Sequence, residues 1–377
     1  MRSLVRRPLP ACTAGRRARR IAAASVLAAV AATLPATAAS AAGRGRVRHE
    51  MLVAGAWLAR HLEDPGVVIL HAGRGRDGYD AGHVPGARFV AFKEVAVERD
   101  GVANEVPPVA DLVSLARRLG LDETRRIVLY DDEGGLVAAR VFVVFDYLGL
   151  GDNTAFLDGQ LGHWRAEGRP LSTAAALDVA ASAAAAPELA PSAFVPRLRP
   201  EVIVTLGAVR DLSWAATQGG AAQGSAARGG AASASDHGVA LIDARPESQY
   251  AGTDPADGVA RPGHIPGASS LYWPKMLVSR EDPVLRPPDE LRALMTGAGA
   301  DPGDLVVTYC RSGVQAAYTY FVARYLGHDA RLYDGSFAEW SARADTPVER
   351  SPAAEPPAAG PPAAEQAPAK PPAGRAR

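Results

Sequence analysis

Short apolar runs alternate along the chain with longer segments in which apolar residues recur every three or four positions. The runs Gly66–His71, Arg126–Tyr130, Ala155–Leu157, Val239–Asp243, Leu305–Tyr309 and Ala330–Tyr333 are rich in Val, Ile, Leu and Tyr. They read as buried strands. Pro108–Gly120 carries Val109, Leu112, Leu115, Ala116 and Leu119 on one helical face. Leu136–Leu148, Leu206–Trp214, Pro288–Gly297 and Gln315–Leu326 read as further helices, and Gly149 and Gly327 stand at helix-stopping positions. Met51–Ala59 and the segments through Trp164 and Trp340 predict shorter helices. Strand after helix after strand implies a parallel sheet covered on both faces.

The pattern occurs twice. His83 to His264 is 181 positions, Tyr130 to Tyr309 is 179, Asp158 to Asp334 is 176, and Trp164 to Trp340 is 176. Near-constant offsets across four landmarks indicate an internal duplication of one α/β unit. The expected organisation is a unit over 49–170, a linker over 171–200 and a second unit over 201–350, with a flexible Gly/Ala/Ser-rich insertion at 215–238. Residues 351–377 are Pro/Ala-rich and read as a disordered tail.

Composition adds two constraints. The 377 residues carry 41 basic and 41 acidic side chains, but residues 1–42 hold seven arginines and no acid. Without them the count is 34 basic to 41 acidic, which does not suggest a nucleic-acid binder. The arginine-rich start, the apolar stretch Ile21–Leu34 and the small residues Ala36–Ala42 read as a secretory signal over 1–42. The apolar stretch is short and alanine-rich, which argues against a retained membrane anchor. The expected location is therefore exported, in the periplasm or outside the cell. Of the two cysteines, Cys12 would leave with the signal and Cys310 would remain alone, unable to form an internal disulfide. The eight histidines are scattered without ligand spacing, so no metal site is indicated.

That cysteine stands where the chemistry concentrates. In CRSGVQA, Cys310 to Ala316, a strand turns straight into a helix through a glycine-containing loop. Such a turn gathers backbone N–H groups and the positive end of a helix around one point. A cup of that kind stabilises negative charge, the form in which a cysteine is a nucleophile. Arg311, Ser312, Gly313, Val314 and Gln315 complete the loop, and Arg311 adds a fixed cation.

DARPESQYAGT (Asp243–Thr253), GHIPGA (Gly263–Ala268), CRSGVQA and YDGSFAEW (Tyr333–Trp340) together resemble the two-domain rhodanese family of sulfurtransferases. The first unit offers the matching GHVPGA, YDDEGGLVAAR and LDGQLGHW. The resemblance spans Leu52 to Val348. It implies two tandem rhodanese-like α/β domains, each a parallel sheet with helices on both faces. It also implies a catalytic cysteine in the second unit, Cys310, and a first unit without one, since Asp131 stands near the corresponding place. The implied chemistry is ping-pong transfer of sulfane sulfur through a Cys310 persulfide to a thiophilic acceptor such as cyanide or a thiol. No cofactor is implied. Thiosulfate users in the family resemble Cys-Arg-Lys-Gly and mercaptopyruvate users Cys-Gly-Ser-Gly; Cys310-Arg311-Ser312-Gly313 is a hybrid. Arg311 favours a dianion such as thiosulfate. Ser312 keeps 3-mercaptopyruvate open, with His83 as a partner across the cleft. Gln249 stands where the family often has a donor-binding arginine, and Arg261 is the candidate replacement.

Blander readings stand beside these. His83 and His264 suit turn-stabilising hydrogen bonds, Asp243 with Arg245 suits a structural ion pair, and Trp164 and Trp340 suit the core. A cysteine-loop phosphatase needs an arginine closing the loop, and Val314, Gln315 and Ala316 supply none. A carrier that holds a persulfide without turnover is the remaining alternative.

Overall fold

The computed structural model describes residues 45–173, 193–217, 238–254 and 256–351. The segment 1–42, most of the 171–200 linker, most of the 215–238 insertion and nearly all of the tail lie outside the described residues.

The first repeat runs β1 (Leu52–Val53), α1 (Gly55–Ala59), β2 (Val67–Gly73), α2 (Asp77–Ala81), β3 (Arg88–Ala91), a hairpin of β4 (Val97–Arg99) and β5 (Val102–Glu105), α3 (Val109–Arg118), β6 (Arg126–Tyr130), α4 (Leu136–Tyr147), β7 (Thr154–Leu157) and α5 (Gln160–Ala166). The second runs β8 (Ile203–Val204), α6 (Leu206–Thr217), β9 (Val239–Asp243), α7 (Glu247–Ala251), β10 (Ser269–Ser270), α8 (Pro288–Gly297), β11 (Leu305–Tyr309), α9 (Val314–Tyr325), β12 (Asp329–Tyr333) and α10 (Ser336–Ala342). The sheets have orders β1-β7-β6-β2-β3 and β10-β9-β11-β12-β8, the same order read from opposite ends. All pairings in both are parallel. This is the α/β architecture expected from the alternating pattern.

The repeats reproduce each other in detail. Tyr130 and Tyr309 end the central strands, and each hydroxyl accepts from the backbone N–H after the turn histidine, Val84 and Ile265. Each turn histidine stacks on the tyrosine before it, at 3.8 Å in both repeats. Trp164 and Trp340 are buried, and each indole donates to a downstream proline carbonyl.

Three local expectations change. Met51–Ala59 is not one helix, because Leu52 and Val53 pair with β7 and α1 begins only at Gly55. Helix α6 continues to Thr217, past the expected start of the insertion. The described end of the linker is docked: Phe194 is buried and its carbonyl accepts from Arg117, while Arg199 pairs with Asp146.

Helices α4 and α9 are apolar almost all round because they are covered on both sides, by their own sheet and by each other. Phe156 stacks on Phe321 at 3.6 Å, and Phe142 meets Phe321 edge-on at 5.1 Å. Each such side chain contributes about 1.5–3 kcal/mol by leaving water. The charge buried in this seam is matched: Asp146 accepts from Tyr320 Oη at 2.5 Å and lies 3.1 Å from Arg324 Nε. Among the described residues no helix is long and apolar enough to cross a membrane.

Candidate active site

Cys310 follows directly on β11, at the carboxyl edge of a parallel sheet, where loops of such folds gather their ligands. It is buried and is the free cysteine among the described residues. The loop is closed from beneath by Ser336. Its hydroxyl accepts from the N–H groups of Cys310 (3.3 Å) and Gly313 (3.0 Å) and donates to the Tyr333 carbonyl (2.8 Å). The Cys310 and Arg311 carbonyls accept from Phe337 and Ala338 N–H at the start of α10. Gly313 turns the chain into α9 at φ +79°, and a Cβ there would stand 3.0 Å from Asp334 Oδ1 and 3.1 Å from Arg140 Nη1. Conformation and space both require glycine at this point.

A cleft of about 600 Å³ opens above the loop. Cys310, Arg311, Ser312, Val314 and Gln315 line one side, with Gln249 from α7. Arg74, Asn104 and Leu136 of the first repeat line another, and Asp254, Ala256 and Asp257 complete the rim. Arg311 is exposed, and its Nη1 donates to the Asp257 carbonyl at 2.9 Å. Ser312 is buried, and its Oγ accepts from Asn104 Nδ2 at 2.9 Å.

The first repeat shows what this kind of loop does to an anion. Asp131 follows β6 as Cys310 follows β11 and is fully buried. Its Oδ1 accepts from the N–H groups of Glu133 (2.9 Å) and Gly135 (2.7 Å), and its Oδ2 from Val137 (2.8 Å) and Ala138 (3.0 Å). The first N–H groups of a helix have no intrahelical acceptor, and the carboxylate takes two of them. Gln315 and Ala316 carry the equivalent N–H groups at the start of α9. Burial outweighs the four N–H groups and pushes the Asp131 carboxyl up to about 6.

Residues 55–167 and 230–343 each match the rhodanese-like domain. The chain belongs to the rhodanese-like family, with two such domains in tandem.

The thiosulfate sulfurtransferase of Corynebacterium glutamicum is 30% identical over 311 residues, covering 80% of this chain and 90% of that one. The 3-mercaptopyruvate sulfurtransferase of Escherichia coli K12 is 28% identical over 305 residues, covering 78% and 95%. The crystal structure of the 3-mercaptopyruvate sulfurtransferase SseA from Escherichia coli superposes with a TM-score of 0.58 at 25% identity, covering 76% of this chain and 98% of that one. The chain is thus a tandem rhodanese of the thiosulfate/3-mercaptopyruvate sulfurtransferase family.

Two residues expected at the rhodanese cleft lie elsewhere. Arg261 is bound by backbone carbonyls: it donates to Ser341, Trp340, Arg343 and Thr346 and fastens the segment after α10. With Nε, Nη1 and Nη2 all engaged in this way, the guanidinium has no fork to offer a substrate. His83 does not line the cleft either. It is buried, its Nδ1 lies 2.8 Å from the Tyr79 carbonyl, and its backbone pairs with Ser172. Ser312 is met by Asn104 instead. Asp243 and Arg245 form a buried bidentate pair, and Arg245 also donates to the Gly263 carbonyl. Sequence reasoning missed Arg74, Asn104, Asp254 and Asp257. The short run Val97–Glu105 around an Asp-Gly pair is a hairpin signal that would have drawn attention to Asn104.

Proposed function

We propose that the protein transfers sulfane sulfur from a small anionic donor, thiosulfate first, through a persulfide on Cys310. The Cys310 thiolate attacks the outer sulfur of thiosulfate, the S–S bond breaks, and sulfite leaves with the electron pair. A thiophile such as cyanide then takes the terminal sulfur, and the thiolate returns. The observation that carries this reading is the Asp131 carboxylate held by four N–H groups in the twin loop. The Gln315 and Ala316 N–H groups, placed like the Val137 and Ala138 pair in that loop, support a persulfide anion on Cys310, while the Gly313 N–H is taken by Ser336. Arg311 at the mouth favours an anionic donor, while Arg74 is paired with Glu133 and Asp254 and Asp257 stand on the rim.

A second donor, 3-mercaptopyruvate, is favoured by the Ser312 hydroxyl held at the cleft by Asn104. The test is sulfur transfer to cyanide by the purified protein with both donors, beside Cys310→Ser. The expected result is turnover by the wild type and none by the variant, with unchanged circular dichroism. Turnover by the variant would overturn the assignment. A Cys310 persulfide that forms but is not passed to cyanide would support a carrier instead. We further propose that residues 1–42 direct export; a mature protein that keeps them would refute this.

A further inference from the structure

We propose that Asn104, carried by the first repeat's hairpin, is the positioning residue that leaves the Ser312 hydroxyl proton free for the sulfur donor. It thereby equips the cleft for donors whose leaving group must be protonated. This rests on the reading that Cys310 forms the persulfide.

A serine hydroxyl has one proton to give and two lone pairs to receive, whereas an amide NH₂ only donates. Asn104 Nδ2 donates to Ser312 Oγ at 2.9 Å, so the serine proton is directed elsewhere. Among the described residues that proton meets no acceptor, and Ser312 lines the cleft beside Cys310. The amide is held in place rather than selected by chance. Asn104 sits at φ +65°, a conformation asparagine tolerates better than most residues. Its carbonyl accepts from Arg140 Nη2 at 2.5 Å, and two residues on, Val106 N–H donates to Asp334 Oδ2 at 2.6 Å. Both ends of the fastening, Arg140 and Asp334, are buried and paired with each other.

The two donor classes differ in what they need. Sulfite leaves thiosulfate with its electron pair and requires no proton. With a 3-mercapto-2-oxo acid, Cys310 thiolate attacks the thiol sulfur, the C–S bond breaks, and the pair passes to carbon as the pyruvate enolate. Ser312 O–H protonates that carbon. The resulting alkoxide takes the proton from the terminal S–H of the persulfide, leaving Cys–S–S⁻. The donor's own thiol proton thus ends on the methyl group, and no further reactant is needed.

The experiment measures kcat and KM with thiosulfate and 3-mercaptopyruvate for the wild type, Asn104→Asp, Asn104→Gly, Ser312→Ala and the double variant Asn104→Asp with Ser312→Ala. A carboxylate at 104 would capture the serine proton. Asn104→Asp is expected to lower the mercaptopyruvate kcat at least tenfold more than the thiosulfate kcat. Asn104→Gly, which tolerates the same positive φ and removes the side chain, should fall between. In the Ser312→Ala background Asn104→Asp should add nothing. Equal losses with both donors, an unchanged mercaptopyruvate kcat, or additive losses would overturn the inference. So would a wild type that uses thiosulfate alone, with the sulfurtransferase reading intact. A wild type active with neither donor would overturn both.

Discussion

Arg140 Nη1 lies 2.5 Å from Asp334 Oδ1, and this buried pair joins the first repeat's central helix to the loop beneath Cys310 in the second. The same guanidinium holds the carbonyls of Val95 and Asn104. The other Asp334 oxygen accepts from Val106. One ion pair therefore fixes the active-site floor and the hairpin wall together. The fold's pseudo-symmetry has a lighter echo on the other side, where Asp158 Oδ1 accepts from Leu285 N–H across the repeats.

Arg140→Met removes one partner and leaves Asp334 buried without its charge. The expected cost is about 3–5 kcal/mol, the range for breaking a buried pair from one side. Combining it with Asp334→Leu should recover part of that loss, because no lone charge then remains. Urea unfolding of the two variants beside the wild type checks both statements. A double variant no more stable than the single one would contradict the pairing.

Arg311→Ala tests the donor anchor. Arg311 is exposed and, among the described residues, its side chain donates to the Asp257 carbonyl alone, so its removal should leave the fold intact. Loss of a charge-assisted contact to a dianion is worth about 1.5 kcal/mol or more, so the thiosulfate KM should rise about tenfold with kcat little changed. Steady-state kinetics with thiosulfate read this directly. An unchanged KM would place the donor elsewhere in the cleft.

Asp131→Asn tests the anion cup of the first repeat through pH. The carboxyl titrates near 6 when folded, against 3.8 as its ordinary value. A raised acid binds more protons folded than unfolded, so its contribution to stability is greatest below pH 3.8 and is lost as pH rises toward 6. The difference is worth roughly 3 kcal/mol. Asparagine does not titrate, but its NH₂ cannot accept from Val137 and Ala138, and two unpaired N–H groups cost about 1–3 kcal/mol each. The two effects oppose each other, so net stability at pH 7 should change little. The decline between pH 4 and 6 should be absent from the variant's own stability curve, so its stability relative to the wild type should rise over that range. Denaturant unfolding at pH 4, 5, 6 and 7 measures it.

The strand and helix order was legible because each element repeats its own period along the chain. Central strands Arg126–Tyr130 and Leu305–Tyr309 occupy the expected residues. The edge strands β1, β8 and β10, two residues each, were not readable. Two residues carry no period, and only pairing with a neighbouring strand makes them β. The hairpin β4–β5 was missed for a related reason, since its residues are polar and half exposed.

By itself, the sequence determined the duplication, the parallel α/β class and the placing of Cys310 between a strand and a helix. All of these are encoded in local periodicity and in spacing within one repeat. Tertiary structure decided which side chains face that cysteine. Asn104 and Ser312 stand 208 positions apart, and only the packing of α4 on α9 brings their elements together. It also removed Arg261, because the backbone carbonyls that consume its donors come from a segment some 80 residues downstream. Local pattern reports how a segment buries its own face. It does not report which distant group satisfies a polar side chain, and that pairing decided which side chains line the cleft.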